Sequence, residues 1–204
     1  KFSGLPEFWM KQTTLKTTEL NANNNISFPV GTATAVKKYS QKLDFDQLLS
    51  GYKTRGTTLV KLIEALITYR LTENGSICRA SEWINRPDVL DQFNLSAFEE
   101  RTLFRALELV GDNYEEIILL LQKILFSQYE FPHTDVNLDW TSFVLWGTKA
   151  ELGKHGYSRD HRPDKKQITV GISQLRAPMN LPIGLTVQSG NIKRTLHNSP
   201  FNVK

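Results

Sequence analysis

The hydrophobic period of the chain changes at Phe131–Pro132, and this change constrains the fold more than any other feature. From Gly31 to that point, apolar residues recur with the 3.6-residue spacing of amphipathic helices. Beyond it they follow a period of two in three segments, VNLDWTSFVLW, QITVGISQL and PIGLTVQSG. The turn-rich RAPMN between the last two segments is typical of an antiparallel hairpin. We therefore expect an α+β chain, with a helical bundle followed by a three-stranded antiparallel meander.

Composition divides the chain into four segments. Residues 1–30 are rich in Thr and Asn and hold too few spaced apolar residues for a core, so we expect a polar arm. Residues 31–131 form the helical region, 132–191 the strand region and 192–204 a basic tail. Six of the 25 basic residues and none of the 21 acidic residues lie between Lys165 and Lys204. This concentration of positive charge suits a polyanion such as DNA, although a solvated tail has the same composition.

Cap and breaker residues predict where the helices end. The apolar stripe of TTLVKLIEALITYRL stops at Asn74–Gly75. Ser96 and Glu99 have the spacing of a capping box, and Gly111 suits the end of that helix. The helix that opens at Asp112 is apolar on most of its surface, so we expect it at the centre of the bundle. A helix-turn-helix is the alternative interpretation, but the glutamates of its recognition helix favour an ordinary bundle.

The chain lacks the features of a membrane or disulfide-rich protein. It holds no apolar run near the ~20 residues that a membrane-spanning helix needs, so we expect no membrane partner. Its first residues do not show the basic and apolar pattern of a signal peptide. Cys78 is the only cysteine, which excludes a disulfide within the chain and is typical of a reducing compartment.

One carboxylate, Asp139, stands within the first predicted strand. Alternation places it on the same face as Asn137, Thr141, Phe143 and Leu145, and apolar residues on both faces predict a central strand. Burying an unpaired carboxylate costs several kcal/mol, so Asp139 would need a compensating partner. A metal ion, a salt bridge and a bend that leaves the side chain wet are the three alternatives.

The predicted loop between the first two strands, residues 147–167, is basic and carries a tyrosine. Cationic side chains hold a phosphate backbone, and an aromatic ring stacks on a base, so the loop is a candidate DNA-binding element. A long solvated hairpin loop has the same composition. His155 and His161 lack zinc spacing. The candidate DNA-binding residues are Lys154, His155, Tyr157, Arg159, Arg162, Lys165 and Lys166.

Taken in order, the motifs of the second half resemble the start of the catalytic domain of insertion-sequence DDE transposases, which is similar to ribonuclease H. The motifs are Asp-x-Thr-Ser, Gly-Tyr-Ser-Arg-Asp-x-Arg-Pro-Asp, and Leu-Pro-x-Gly followed by Gly-Asn. VKKYSQKLDFDQLL resembles the N-terminal portion of the family, so the similarity spans roughly residues 30–191. The resemblance implies metal-dependent DNA cleavage and strand transfer, with Asp139 as the first catalytic carboxylate and as a ligand of Mg²⁺ or Mn²⁺.

The chain departs from the family after its last strand. The family's second Asp and final Glu follow the Gly-Asn turn, whereas no acidic residue follows Asp164 here. We therefore expect a catalytically incomplete transposase fragment, which need not bind the metal itself.

The resemblance also implies partners and a location. These are DNA at transposon ends, a homo-oligomer, no small-molecule cofactor, and the prokaryotic cytoplasm near the nucleoid. Two alternatives remain. One is a non-catalytic regulator that binds DNA or a transposase, and the other is a helical interaction module.

Overall fold

The chain folds as the α+β class predicts, with helices first and a sheet second. A computed structural model describes residues 28–53, 56–130, 135–147, 149–156, 161–176 and 181–192. Its helices are α1 (Val30–Lys42), α2 (Phe45–Ser50), α3 (Leu59–Thr72), α4 (Ile77–Ile84), α5 (Pro87–Phe93), α6 (Glu100–Asp112) and α7 (Tyr114–Gln128). Its strands are β1 (Val136–Leu145), β2 (Lys166–Leu175) and β3 (Leu181–Ser189).

The predicted arm and tail lie almost entirely outside the described residues. At the arm's end, Phe28 stacks on Trp83 with ring centroids 5.9 Å apart and meets Phe93 edge-on at 6.3 Å. Aromatic pairs of this geometry contribute beyond their buried area. Residues 28–30 therefore belong to the bundle, and the helical region begins earlier than position 31.

Helix α3 occupies the centre of the bundle. Eight of its 14 residues are buried, because it lies between two apolar clusters. One cluster joins its C-terminal half to α4, α5 and α6, and the other joins its N-terminal half to α2, α6 and α7. The first contains Ala65, Leu66, Tyr69, Trp83, Ile84, Phe93 and Leu103, and the second contains Leu48, Leu49, Leu59, Leu62, Ala106 and Ile117.

Helix α7 lies at the edge of the bundle, so the prediction that it is central is wrong. Ile117 is its one buried residue, while Leu119 and Phe126 are 48% and 46% exposed. Its apolar surface is divided between two neighbours. Leu120 and Leu121 pack on the second cluster, and the helix also contacts β3. None of the described helices has the length and apolar character needed to cross a membrane.

Helix α6 begins three residues later than the predicted capping box requires, at Glu100 instead of Ala97. No side chain caps it, so the capping box of Ser96 and Glu99 does not form, and Gly111 lies within its last turn. The reason is a tertiary contact. The Phe98 N–H donates to the Asn85 side-chain oxygen at 2.9 Å, which holds the preceding linker outside the helix. An Asn can offer backbone groups this kind of alternative to helical hydrogen bonds.

The sheet is the predicted antiparallel meander, with strand order β1-β2-β3. In the described sheet β2 is central and β1 is an edge, so the prediction of a central first strand is wrong. The β1–β2 register is continuous and places Asp139 opposite Ile172 and Thr141 opposite Val170. At the other edge, the Gln122 side chain of α7 donates to the Ile183 carbonyl of β3.

The two faces of the sheet differ in exposure. On one face Ser142, Thr169 and Leu175 are buried, and Trp140 lies so close over Gly171 that an added Cβ would come within 2.9 Å of the indole. The opposite face, which we call the open face, is partly exposed and mostly apolar. Its apolar members include Phe143 (54% exposed), Leu185 (41% exposed) and the half-buried Ile168, Val170, Ile172 and Val187, and Asp139 and Thr141 of β1 lie on the same face.

Candidate nucleic-acid interface

Asp139 lies exposed on the open face of the edge strand β1. Two residues away on the same strand, Thr141 is half-buried, and the cross-strand neighbour of Asp139 is Ile172. An edge position leaves the carboxylate hydrated, so no desolvation cost has to be offset. The prediction of a buried carboxylate is therefore wrong. The side chain is exposed to solvent, which is one of the three alternatives. The reason is the edge position of the strand and not a bend.

A two-metal site does not fit the donors that surround Asp139. Two Mg²⁺ ions need several oxygen ligands held together. Within the described part of the chain, no group of three His, Cys, Asp or Glu residues could hold a metal ion. One exposed carboxylate cannot by itself supply that donor set. The role of Asp139 as a first catalytic carboxylate stays a prediction.

The loop between β1 and β2 folds back onto the end of the sheet. Lys154 and Gln167 exchange two backbone hydrogen bonds, at 3.1 and 2.9 Å, which add a short antiparallel bridge to the start of β2. The Gly190 N–H, just after β3, donates to the Leu152 carbonyl at 3.4 Å. The middle of the loop is thereby tied to two strands.

Two glycines allow this close approach. A Cβ added to Gly156 would lie 1.9 Å from the Gly190 carbonyl oxygen. A Cβ added to Gly190 would lie 2.1 Å from the Gln167 carbonyl oxygen and 2.7 Å from that of Lys154. All three obstacles are backbone atoms, which cannot rotate away as a side chain can. Glycine is therefore required at both positions for the loop to seat on the sheet.

The loop, folded back on the sheet, brings two cationic side chains to one exposed indole. Trp146 follows β1 and is 75% exposed. The Arg162 Cζ lies 5.2 Å from the centroid of its ring, and the Lys165 Nζ lies 5.1 Å from the same point. These are distances at which a cation is attracted to an aromatic face. We call Trp146, Arg162 and Lys165 the cation–indole cluster.

Asp164 modifies the charge of this cluster. Its two carboxylate oxygens each accept a hydrogen bond from the Arg162 guanidinium at 2.9 Å. This bidentate contact lowers the pKa of Asp164 to about 2 and raises the pKa of Arg162. Asp164 therefore stays ionised at neutral pH and holds the guanidinium in one orientation. Arg162, Lys165 and Asp164 together carry a net charge of about +1.

The Arg162–Asp164 contact predicts how the loop responds to acid. Because the carboxyl pKa is lower in the folded protein, the stabilisation is fully present above the ordinary value of 3.8 and is lost as the pH falls towards about 2. We expect Arg162→Gln to return the pKa of Asp164 towards its ordinary value. NMR titration of the Asp164 carboxyl carbon measures this shift. An unchanged titration in the variant would show that the guanidinium is not the cause.

Three of the other predicted DNA-binding residues, Lys154, His155 and Lys166, lie in the described part of the chain. Lys154 and His155 are exposed on the seated part of the loop, with the His155 Nδ1 3.2 Å from the Pro163 carbonyl oxygen. Lys166 is the half-buried first residue of β2. Tyr157 and Arg159 lie outside the described residues. The structure thus brings Arg162 and Lys165 together.

Trp146 was missed by sequence reasoning, which looked for an aromatic residue inside the loop. It directly follows the first strand and lies next to the loop's first glycine in sequence. The available signal was a tryptophan at the end of a strand whose following loop is basic. The antiparallel hairpin places such a ring where the loop begins, close to the start of the next strand.

The chain was compared with protein-family models, with curated proteins and with solved structures, and none of the three comparisons finds a match.

Proposed function

We propose that this protein is a catalytically incomplete, DDE-transposase-like DNA-binding protein that contacts DNA through its β1–β2 loop. The observation that carries the proposal is the convergence of Arg162 and Lys165 on the exposed indole of Trp146. The ordered motifs of the strand region support the transposase-like character. The proposal for the loop rests on the chemistry of its own residues.

Cations beside an aromatic ring match the two parts of a nucleotide. Lys and Arg neutralise phosphates and release counterions, which gives affinity that falls with salt. An exposed indole stacks on a base, and this contact tolerates any sequence. Because the Asp164 carboxylate offsets the charge of Arg162, we expect Lys165 to be the principal phosphate contact of the cluster. Binding through this surface is therefore expected to depend little on sequence.

Fluorescence anisotropy with a labelled oligonucleotide over a range of salt concentrations tests this proposal. We expect Lys165→Ala to reduce the slope of log affinity against log salt by about 1, the value for one lost phosphate contact. Trp146→Ala should weaken single-stranded DNA binding by about 1–3 kcal/mol, as the loss of one stacked base does. Lys123→Ala is the matched control, because it removes an exposed lysine from α7, away from the cluster.

Three results would contradict the proposal in different ways. Equal losses in the Lys165 and Lys123 variants would show that binding depends on total charge. No DNA binding by the wild-type chain would favour the helical interaction module. Mg²⁺- or Mn²⁺-dependent nicking that disappears in Asp139→Ala would show that the chain is an active nuclease and that its incompleteness was wrongly inferred.

A further inference from the structure

A tight turn at the end of the β1–β2 loop places Arg162 and Lys165 side by side. The Lys165 N–H donates to the Arg162 carbonyl at 3.1 Å, which closes a four-residue turn directly before β2. Pro163 occupies the second position of this turn, where the fixed φ of proline is favourable. The two ends of the turn therefore carry the two cations of the cation–indole cluster, and Asp164 lies between them in sequence.

Asp164 binds the atoms of Arg162 that a phosphate group would also use. Its two carboxylate oxygens accept hydrogen bonds from Nε and Nη2 of the guanidinium, both at 2.9 Å. Arginine presents this pair of parallel donors to carboxylates and to phosphates alike. A DNA phosphate can therefore bind these two donors only where the carboxylate has released them. Asp164 and the DNA backbone compete for the same side of the guanidinium.

Two properties of the ion pair favour the carboxylate in this competition. Asp164 is two residues from Arg162, so it is present at a high effective concentration. The low pKa of Asp164, about 2, keeps it ionised at neutral pH, with the same single charge as a backbone phosphate. The side chains of Arg162 and Asp164 are nevertheless 41% and 55% exposed. Exposed ion pairs contribute little to stability, so we expect the fold to tolerate removal of the carboxylate.

We propose that Arg162 is a second phosphate-binding residue of the cation–indole cluster, and that Asp164 limits the affinity for DNA by occupying it. The inference rests on the proposed DNA-binding function and adds a residue that regulates that site. With the ion pair closed, the cluster contacts one phosphate through Lys165. With the ion pair open, it contacts two. Asp164 thus determines how tightly the loop holds DNA, although it carries the same sign of charge as the ligand.

Asp164→Asn tests the inference, because it removes the charge and keeps the size of the side chain. We expect this variant to bind a labelled single-stranded oligonucleotide about tenfold more tightly at low salt, since one charge-assisted contact is gained. The slope of log affinity against log salt should steepen by about 0.7, the value for one more phosphate of a single strand. Fluorescence anisotropy over a range of salt concentrations measures both quantities.

Two further variants separate the released guanidinium from the change in total charge. Glu151→Gln removes one negative charge from an exposed position of the same loop, and we expect it to keep the salt slope of the wild type. Asp164→Asn combined with Arg162→Gln lacks both members of the ion pair, so its slope should not exceed that of the wild type. Circular dichroism reports on the fold of each variant. If Asp164→Asn does not fold, Asp164→Ser replaces it, because serine is common in turns.

The outcomes distinguish this inference from the proposed function. A wild-type slope in Asp164→Asn overturns the inference, while the proposed function survives if Lys165→Ala still loses affinity. An equally steep slope in Glu151→Gln or in the double variant also overturns it, because the gain would then not depend on Arg162. If neither the wild type nor Asp164→Asn binds DNA, the proposed function and the inference both fail.

Discussion

Gly156→Ala is expected to detach the β1–β2 loop from the sheet and to lower both stability and DNA affinity. The added methyl would meet the Gly190 carbonyl oxygen at 1.9 Å, and the atoms nearest to it all belong to the backbone. Relieving such an overlap requires the loop to move away from β3. Overpacking of this kind costs about 1–3 kcal/mol, and more where the backbone must shift. Urea unfolding and DNA anisotropy of the same variant measure the two effects.

Gly147→Ala is the matched control for this prediction. Gly147 opens the same loop, and a Cβ there would have no atom within 4 Å. We expect its free energy of unfolding and its DNA affinity to match those of the wild type. If both variants behave alike, the close contact between Gly156 and Gly190 does not hold the loop. If Gly156→Ala loses stability but keeps its DNA affinity, the loop's position on the sheet does not govern binding.

Phe93→Ala is expected to destabilise the helical bundle by about 3–5 kcal/mol, the cost of deleting a buried aromatic ring. Phe93 is 2% exposed, and its ring meets Phe28 edge-on. The Lys37 ammonium lies 5.0 Å from the ring centroid, so the variant also removes a cation–π contact. The measurement is urea unfolding followed by the helical circular dichroism signal.

Phe104→Ala provides the comparison for the bundle. Phe104 lies on α6 and is 43% exposed, so its removal opens no enclosed cavity. We expect a cost of about 1 kcal/mol or less, as for most surface substitutions. A loss as large as that of Phe93→Ala would show that this face of α6 is covered, for example by another protein surface.

The α+β class and the meander could be predicted because periodicity reports which side of an element is buried. The change of period at Phe131–Pro132 falls between the last helix and the first strand. The start of α6 could not be predicted, because the Phe98 N–H is held by the side chain of Asn85, which lies 13 residues earlier, beyond α5. The peripheral position of α7 could not be predicted either, because its apolar surface contacts both the bundle and the sheet.

The position of β1 could not be deduced from its residues. Apolar side chains on both faces are typical of a central strand, yet they occur here at an edge. Alternation describes the faces of a strand and carries no information about what lies beside it. The exposure of Asp139 follows from that edge position. The basic loop was visible in composition, but the meeting of Arg162 and Lys165 at Trp146 depends on how the loop folds back.

The junction between bundle and sheet has a consequence for how such a chain can be enlarged. Helix α7 contacts the sheet at β3, and the buried members of both apolar clusters all lie on helices. Further elements could be laid over Phe143, Ile172 and Leu185 without repacking any helix. A cover over that face would therefore change the exposure of the sheet and leave the packing of the helical half as it is.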